Sequence, residues 1–218
     1  MANLLLRDVV GGVKHIDMHP SLTLLAFNRG SVVILWDVVK DGKKKLVRHN
    51  AEVILLKFSE DGGYLFSING GANPLLCIWI STKLVQSINL PKAFPSTSYL
   101  LAFEKQSGTL VVVESIVSGC MVHCWNYSST EFKHSFNSTL SKTSPCNSIG
   151  VHDKNFYITE RHMINLWNLK EEAKLIRQIP ISQEIKEVKA CISTKGFIIL
   201  AHSGNIITIT EHVILLYL

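Results

Sequence analysis

Cysteine and histidine could bind a metal or attack a substrate, and one short stretch of this sequence brings three such residues together. Cys120, His123 and Cys124 lie in the segment GCMVHCW. Successive side chains of a β-strand point to opposite faces, so Cys120 and Cys124 would share one face and His123 would lie on the other. The spacing therefore argues against a shared metal site, and we expect no metal and no other cofactor.

Motifs for nucleophilic catalysis and phosphate binding are missing from the sequence. It contains neither a G-x-S-x-G nucleophile elbow nor a G-x-x-x-x-G-K-[ST] phosphate loop. Cys77 and Cys124 each lie within two residues of a tryptophan in an apolar run, which favours small core residues over exposed nucleophiles. The nine histidines are scattered, and we interpret them as structural or surface residues. The sequence predicts no enzyme and no small-molecule substrate.

The densest group of charges is the run KDGKKKLVRH, here called the basic run. It contains Lys40, Lys43, Lys44, Lys45 and Arg48. These residues could contact an anionic partner such as an acidic protein surface, nucleic acid or a nuclear-import receptor. The other interpretation is a solvated hairpin turn between two strands. No basic stripe with interleaved aromatic residues occurs, so we expect no specific nucleic-acid recognition.

The composition is typical of a packed globular protein. Of the 218 residues, 47% are hydrophobic and 18% are charged, with a net charge of +5. The five cysteines are odd in number and form no C-x-x-C pair, which argues against a disulfide framework and predicts a cytoplasmic location. Arg7 and Asp8 interrupt the first apolar run, and no stretch reaches the roughly 18 residues, both uncharged and apolar, that a membrane helix needs. We therefore expect neither a signal peptide nor a membrane partner.

The elements that would position these residues repeat along the chain. The tryptophans Trp36, Trp79, Trp125 and Trp167 are spaced 43, 46 and 42 residues apart. They end the runs VVILW, LLCIW, MVHCW and MINLW. One further step of 43 reaches Thr210 in the strand-like segment GNIITIT. This regular phase predicts that the tryptophans pack in a core rather than bind a ligand.

Each period holds four short strands separated by turns rich in Gly, Asp and Ser. In the second repeat, the strands Val53–Phe58 and Tyr64–Ile68 flank the turn SEDGG, a third strand ends at Trp79, and KLVQSINL follows. No long helical periodicity competes with this pattern. The sequence therefore predicts an all-β protein with about five repeats in a single region. The predicted repeats lie near residues 11–49, 50–90, 91–137, 138–180 and 181–218.

The period, the FSEDG-type turn and the Trp36-Asp37 ending together resemble the WD40 repeat, the four-stranded blade of a β-propeller. The resemblance extends from about Val13 to Thr210. It implies a propeller of about five blades that is incomplete or open, because propellers of this family mostly close with about seven. An early strand at Leu4–Val10 would, by the same resemblance, complete the outer edge of the last blade.

The WD40 family also implies a polar network inside each blade, formed by Asp, His, Ser or Thr, and Trp. The second repeat has His49, Ser67 and Trp79 at these positions, with Asn73 in place of the Asp. The other repeats lack an acidic or amide residue six positions before the tryptophan: Gly30, Gly119 and Arg161. We expect those repeats to depend on apolar packing between sheets.

The resemblance implies a non-catalytic scaffold that binds other proteins through rim loops, with candidate loops at Asn28–Gly30, Asn69–Asn73 and Arg161-His162. A second likeness, carried by GGANPLLCIW, is to large ciliary and cytoskeletal WD-repeat proteins. It implies tubulin or axonemal partners and a location in the cilium or cytoskeleton, and the basic run would suit the acidic surface of tubulin. A signalling or complex-assembly adaptor, a truncated isoform without autonomous function and a propeller-fold enzyme are the alternatives that the sequence leaves open.

Overall fold

The computed structural model describes residues 12–91, 97–116, 119–128, 131–141, 146–152, 155–169, 173–191, 196–201, 203–209 and 214–217. The regular secondary structure of these residues consists of β-strands, which confirms the all-β prediction. Among them, no helix is long and apolar enough to cross a membrane. The predicted strand at Leu4–Val10 and the repeat position Thr210 lie outside the described residues.

The described residues form twenty strands in five sheets, and each sheet is an antiparallel meander of four strands in chain order. The first sheet contains β1 (Ile16–Met18), β2 (Leu24–Arg29), β3 (Val32–Asp37) and β4 (Gly42–Val47). The second contains β5 (Val53–Phe58), β6 (Leu65–Asn69), β7 (Leu75–Ile80) and β8 (Lys83–Asn89). A four-stranded meander is the arrangement of a propeller blade, as predicted.

The remaining sheets continue the same order. The third contains β9 (Ser98–Glu104), β10 (Thr109–Ile116), β11 (Gly119–Ser128) and β12 (Glu131–Ser141). The fourth contains β13 (Ser148–His152), β14 (Asn155–Glu160), β15 (Met163–Leu169) and β16 (Ala173–Pro180). The fifth contains β17 (Ile185–Cys191), β18 (Gly196–Ala201), β19 (Ile206–Ile209) and β20 (Ile214–Tyr217). The chain divides into two compact units, residues 1–97 with the first two sheets and 98–218 with the other three.

The register of strand pairing, like the order of the strands, repeats from sheet to sheet. In the first four sheets, the tryptophan of the third strand lies opposite an apolar residue of the second strand. The pairs are Trp36 with Leu25, Trp79 with Leu65, Trp125 with Leu110, and Trp167 with Phe156. The repeat seen in the sequence is therefore also a repeat of backbone pairing.

A β-bulge accompanies the tryptophan in the second, third and fourth sheets. The register between the third and fourth strands shifts between Ile78 and Trp79, and likewise just before the tryptophans of the next two sheets. The extra residues on the fourth strands are Val85, Ser135 and Ile176. Because a bulge bends the strand and increases its local twist, these three sheets share a deformation that the first sheet lacks.

The first sheet is apolar on both faces, which explains the continuous run VVILW. Alternate residues of β3 point to opposite sides. Val33 and Leu35 join a cluster with residues of the second sheet, including Val53 and Trp79. The side chains on the other face form a separate cluster of Phe27, Ile34 and Trp36. Burial of each such large side chain stabilises the fold by about 1.5–3 kcal/mol.

Polar contacts fix the first sheet against the second. The Phe58 backbone N–H donates to Asp17 Oδ2 at 2.6 Å, which joins the middle of β1 to the end of β5. His19 Nδ1 accepts the backbone N–H groups of Ser21 and Leu22, so the ring carries its hydrogen on Nε2 and donates to Gly62 O at 3.0 Å. The His19 side chain thereby connects two turns that are one repeat apart.

Two apolar clusters form the described core of the second compact unit. The larger lies between the third and fourth sheets and includes Val111 and Val122 on one side and Phe156 and Ile158 on the other. The smaller contains Tyr157, Ile164 and Ile179 of the fourth sheet together with Ile181 and Ile185. Each successive pair of sheets in this compact unit therefore shares buried apolar surface.

Candidate functional site

The buried polar residues of the second sheet form one directed chain of hydrogen bonds. Trp79 Nε1 donates to Ser67 Oγ at 2.9 Å, and Ser67 Oγ lies 2.7 Å from His49 Nε2. His49 Nδ1 lies 3.2 Å from Asn69 Oδ1, which also accepts the Leu75 backbone N–H at 2.8 Å. Because an amide oxygen only accepts, Nδ1 of neutral His49 carries the hydrogen, and Nε2 accepts from the Ser67 hydroxyl.

Asn69, rather than Asn73, occupies the place expected for the acidic member of this network. Asn73 is exposed in the loop between β6 and β7, whereas Asn69 is fully buried at the end of β6. Residues two apart on a strand share a face, so Asn69 lies on the same side as Ser67 and reaches His49. Strand alternation counted from Ser67 is the signal that identifies Asn69.

Ser67, His49 and Asn69 have the residue types and connections of a nucleophilic triad. Ser67 and Asn69 have 0% of their surface exposed and His49 has 6%, so a substrate carbonyl cannot reach Ser67 Oγ. Burial lowers the pKa of His49; the hydrogen bond to Asn69 opposes this effect, and the charge of Arg48 adds to it. The arrangement therefore acts as an internal structural network.

A second buried polar group lies in the third sheet and was not predicted from the sequence. His123 Nε2 lies 3.2 Å from Glu114 Oε2, and His123 Nδ1 lies 2.9 Å from Asn137 Oδ1. His123 is 1% exposed and Glu114 is 2% exposed. The His123 ring thus connects Glu114 on β10 to Asn137 on β12 across the third sheet.

Glu114 occupies the same register position as Asn69. Each follows by four residues the side chain opposite the sheet's tryptophan, and Glu160 holds this position in the fourth sheet. There Asn165 Nδ2 donates to Glu160 Oε1 at 3.0 Å, and Gln178 Nε2 donates to Asn165 Oδ1 at 2.9 Å. The sequence signal for these groups is thus a polar residue four positions after an apolar one, visible only once the register is known.

The cysteine side chains behave as the sequence suggests for core residues. Desolvation raises the pKa of both Cys77 and Cys124 to about 12, which leaves little thiolate at neutral pH. Cys120 and Cys124 lie in the apolar cluster between the third and fourth sheets, and His123 is directed to Glu114. Within the described part of the chain, no group of three side chains could hold a metal ion.

Trp36 and Asp37 serve the hairpin between β3 and β4. Asp37 Oδ1 accepts the Thr23 hydroxyl at 3.0 Å and the backbone N–H groups of Val39 and Lys40, each at 3.1 Å. The bond from the Lys40 backbone is the main cause of a lowered Asp37 pKa. Trp36 Nε1 donates to Asp41 Oδ1 at 2.8 Å. Both residues of this pair thus have structural partners.

The basic run does not form one patch. Lys43 and Lys45 alternate with Lys44 along β4, so they point to opposite faces of the sheet, and Arg48 lies beyond the far end of the strand. At roughly 3.3 Å per residue, Arg48 is about 20 Å from the start of β4. Lys40 Nζ lies 3.8 Å from Asp37 Oδ2. The prediction of five neighbouring positive charges is therefore wrong, because a strand spreads them along its length and over two faces.

Lys43 covers the outer face of Trp36. Its Nζ lies 4.7 Å from the centre of the Trp36 ring and 3.9 Å from Asp41 Oδ1. A lysine stem can shield an aromatic surface while its charged end remains in water. The contact helps to explain why Trp36 is only 2% exposed although β4 is an exposed strand.

Loops at one end of the first compact unit expose a set of polar residues. The turn between β2 and β3 contacts the start of β5, and the loop between β6 and β7 contacts the segment between β4 and β5. Val53 N–H donates to Gly30 O at 3.0 Å, and Gly70 N–H donates to Glu52 O at 2.8 Å. The residues exposed here define the first rim: Arg29, Gly30, Arg48, Asn50, Gly71, Ala72 and Asn73.

Asn28 and Asn69 support this rim from below and are unavailable to a partner. Asn28 is fully buried; its Oδ1 accepts the His15 N–H at 2.8 Å, and its Nδ2 donates to Val53 O at 3.1 Å. Asn69 Nδ2 donates to Gly70 O at 2.8 Å. The predicted loops Asn28–Gly30 and Asn69–Asn73 are therefore each part support and part exposed surface.

The corresponding loops of the second compact unit are joined by polar side chains. Arg161 Nε donates to Glu184 Oε1 at 2.7 Å, and the Ile185 backbone N–H donates to Arg161 O at 2.8 Å. His162 is exposed beside Arg161. The predicted pair Arg161-His162 thus lies on the surface, where the Arg161 guanidinium is paired with Glu184.

No family model matches this chain, and no curated protein matches it.

Proposed function

We propose that this protein is a non-catalytic interaction module of the WD-repeat type, which binds other proteins through the loops at the rims of its sheets. The observation that carries the proposal is the division of polar groups. The residues that resemble a catalytic set, such as Ser67 and His49, are buried and bonded to one another, whereas the first rim presents polar side chains and backbone to solvent.

The chemistry of the first rim suits a protein partner. Arg48 supplies a positive charge, Asn50 and Asn73 supply amide groups, and Gly71 and Ala72 leave the backbone accessible. Asn28 and Asn69 hold the underlying backbone by buried hydrogen bonds. A surface that is ordered before binding loses less conformational entropy in the complex, which favours affinity.

Affinity purification of the tagged chain from its own cells, read by mass spectrometry, tests the proposal. The test variant is Arg48→Ala with Asn73→Ala, on the first rim. The matched control is Lys40→Ala with Lys44→Ala, in and beside the hairpin at the other end of β4. We expect a co-purified protein that the rim variant loses by at least about tenfold, equivalent to about 1.4 kcal/mol, and that the control retains.

Circular dichroism of both variants must show unchanged strand content for this comparison. Equal loss of the partner from both variants, or the absence of any enriched protein, would contradict binding through the rim. A catalytic turnover that survives purification and disappears on one loop substitution would instead support an enzyme.

As a sharper form of the proposal, we take the partner to be tubulin or an axonemal protein, with the chain acting in the cytoskeleton or cilium. Support comes from Arg48 of the basic run, which is exposed on the first rim and could meet an acidic lattice. Co-sedimentation with microtubules at low salt should pellet the chain, and added salt should release it. If nothing pellets at low salt, this form is excluded, and recovery of another complex would indicate a signalling or assembly adaptor.

A further inference from the structure

Two cysteines of the second compact unit lie side by side and are not joined by a disulfide. Cys120 is at the start of β11, Cys146 lies just before β13, and their Sγ atoms are 3.9 Å apart. A disulfide has its sulfurs about 2.05 Å apart, so the pair must close by roughly 2 Å. Cys146 lies in a connection rather than in a strand and packs against the same apolar cluster that contains Cys120.

We propose that hydrogen peroxide oxidises Cys120 and Cys146 to a reversible disulfide that links the third sheet to the fourth. The two thiols differ in access: Cys146 is half-buried, whereas Cys120 has 0% of its surface exposed. Peroxide therefore reaches Cys146 first, and Cys120 waits behind it as the second thiol of the reaction.

The chemistry balances with peroxide as the only oxidant. The Cys146 sulfur attacks one peroxide oxygen, the O–O bond breaks, and Cys146 sulfenic acid and one water form. The Cys120 sulfur then attacks the Cys146 sulfur, the S–O bond breaks, and a second water leaves with the Cys120 proton. Two thiols lose two electrons in total, and one peroxide gains them. Thiol–disulfide exchange with a dithiol reverses the change.

Two of the other cysteines are poor competitors for peroxide. Cys77 and Cys124 are buried, and desolvation holds the pKa of each near 12, so neither competes for peroxide. Cys124 shares the strand and the face of Cys120 but lies four residues further along, roughly 13 Å away at strand spacing. It therefore provides a matched control for any effect of altering a buried cysteine on β11.

The disulfide would also constrain the chain. It would close a loop between residues 26 positions apart in sequence, next to the described end of the connection between β12 and β13. Closing such a loop restricts the unfolded chain and should raise the melting temperature by roughly 5–10 °C. Oxidation would thus stabilise the contact between the third and fourth sheets.

The test treats the purified full chain with hydrogen peroxide, alkylates remaining thiols, and maps peptides without reduction. We expect a Cys120–Cys146 linked peptide, its disappearance with dithiothreitol, and the rise in melting temperature. Cys146→Ser should abolish both the link and the rise, and Cys124→Ala should retain them.

Three results would overturn the proposal. The first is Cys146 converted to sulfinic acid while Cys120 remains open to alkylation. The second is a link that forms only after urea unfolds the chain. The third is a link between two copies of the chain, seen as a dimer on a non-reducing gel.

Discussion

At the scale of single residues, buried polar side chains decide how these sheets are organised. Asn28 satisfies the backbone of His15 and Val53, and Asn69 satisfies that of Leu75 and Gly70. An unsatisfied buried polar group destabilises a fold by about 1–3 kcal/mol. Each of these two amides therefore prevents such a destabilisation by pairing backbone groups next to a loop that carries exposed residues. The fold and the rim therefore depend on the same side chains.

The first prediction concerns pH and His49. Its pKa lies below the ordinary value of 6.5, so below pH 6.5 the unfolded chain binds the proton more readily than the folded one. The contribution of His49 to the free energy of unfolding is fully present above pH 6.5. It is lost as the pH falls toward the folded-state pKa. His49→Gln should remove this slope, at most about 1.4 kcal/mol per pH unit.

Urea unfolding of both chains between about pH 5 and about pH 8 measures this slope. His15 also has a lowered pKa, caused mainly by burial, but it is present in both chains and cancels in the comparison. His162→Gln, altered at an exposed turn, serves as the control. Identical pH slopes in the wild type and His49→Gln would show that His49 is not the source.

The second prediction concerns the buried pair in the third sheet. Either Glu114→Leu or His123→Leu leaves the other group without its partner, which should lower the free energy of unfolding by about 3–5 kcal/mol. The double variant leaves no uncompensated group and should lose much less than the sum. A double-mutant cycle by urea unfolding measures the coupling, and additive losses would argue against an interacting pair.

Some of these buried polar residues could be identified from the sequence, and others could not, because alternation of side chains holds only within a strand. His49, Ser67 and Trp79 could be grouped from the resemblance, and the hydrogen bonds join them. Asn73 is a wrong choice because counting back from Trp79 crosses a loop, where alternation carries no information. Glu114 and His123 were missed because their contact is diagonal across β10 and β11, and only the register reveals it.

At the scale of elements, turns between strands carry much of the specificity. The SEDGG turn is closed by Tyr64 N–H donating to Ser59 Oγ at 2.9 Å and by Gly62 N–H donating to Ser59 O at 2.9 Å. Gly62 has a φ of +72°, in the left-handed region that favours glycine, and lies against the His19 ring. This turn is therefore both a local structure and a contact with the first sheet.

The third prediction concerns this turn. In Gly62→Ala, the new Cβ would collide with the His19 ring as well as strain the backbone, so we expect a loss of at least about 2 kcal/mol, observed as a lower melting temperature. Gly30→Ala is the matched control, because its φ is +58° and a Cβ there would have nothing within 4 Å. Equal losses in the two variants would mean that the His19 contact contributes nothing.

The extra residues of the third repeat illustrate the limit of spacing arguments for elements. The spacing of 46 between Trp79 and Trp125 indicates an insertion but not its place. The structure puts added length into the strands that precede Trp125 or contain it: β10 and β11 have 8 and 10 residues, against 5 and 6 for β6 and β7. After Trp125, β12 is also long, with 11 residues against 7 for β8, so the third sheet ends at Ser141 rather than near residue 137. The apolar alternation continues through the insertion, so the backbone hydrogen bonds between the strands can continue there too.

At the scale of the whole molecule, the repeat determines the number of sheets, and the division into compact units is a separate property. The period of about 43 residues predicts five four-stranded sheets, which is the number in the described residues. The boundary at residue 97 was not predicted from that period. Its sequence signal is the segment PKAFPSTS, whose proline and serine content is typical of positions between compact units.

The fourth prediction concerns how stability is distributed between these units. Ser67→Ala removes the acceptor of Trp79 and the partner of His49, a loss of about 1–3 kcal/mol. Because each compact unit has apolar clusters of its own, amide protection should fall mainly in β5 to β8 and less in β13 to β16. Native-state hydrogen exchange measures this, with the exposed Ser21→Ala as control. Equal loss in both units would indicate one cooperative structure.

The directed chain from Trp79 to Asn69 has a spectroscopic consequence. A serine hydroxyl proton usually exchanges with water too fast to give a magnetic resonance signal. The Ser67 proton is enclosed, with 0% exposure, and donated to His49 Nε2. It should therefore appear as a resolved line that shows a nuclear Overhauser effect to the Trp79 indole proton. Such a line would report, from a single atom, whether the second sheet is intact while a partner binds above it.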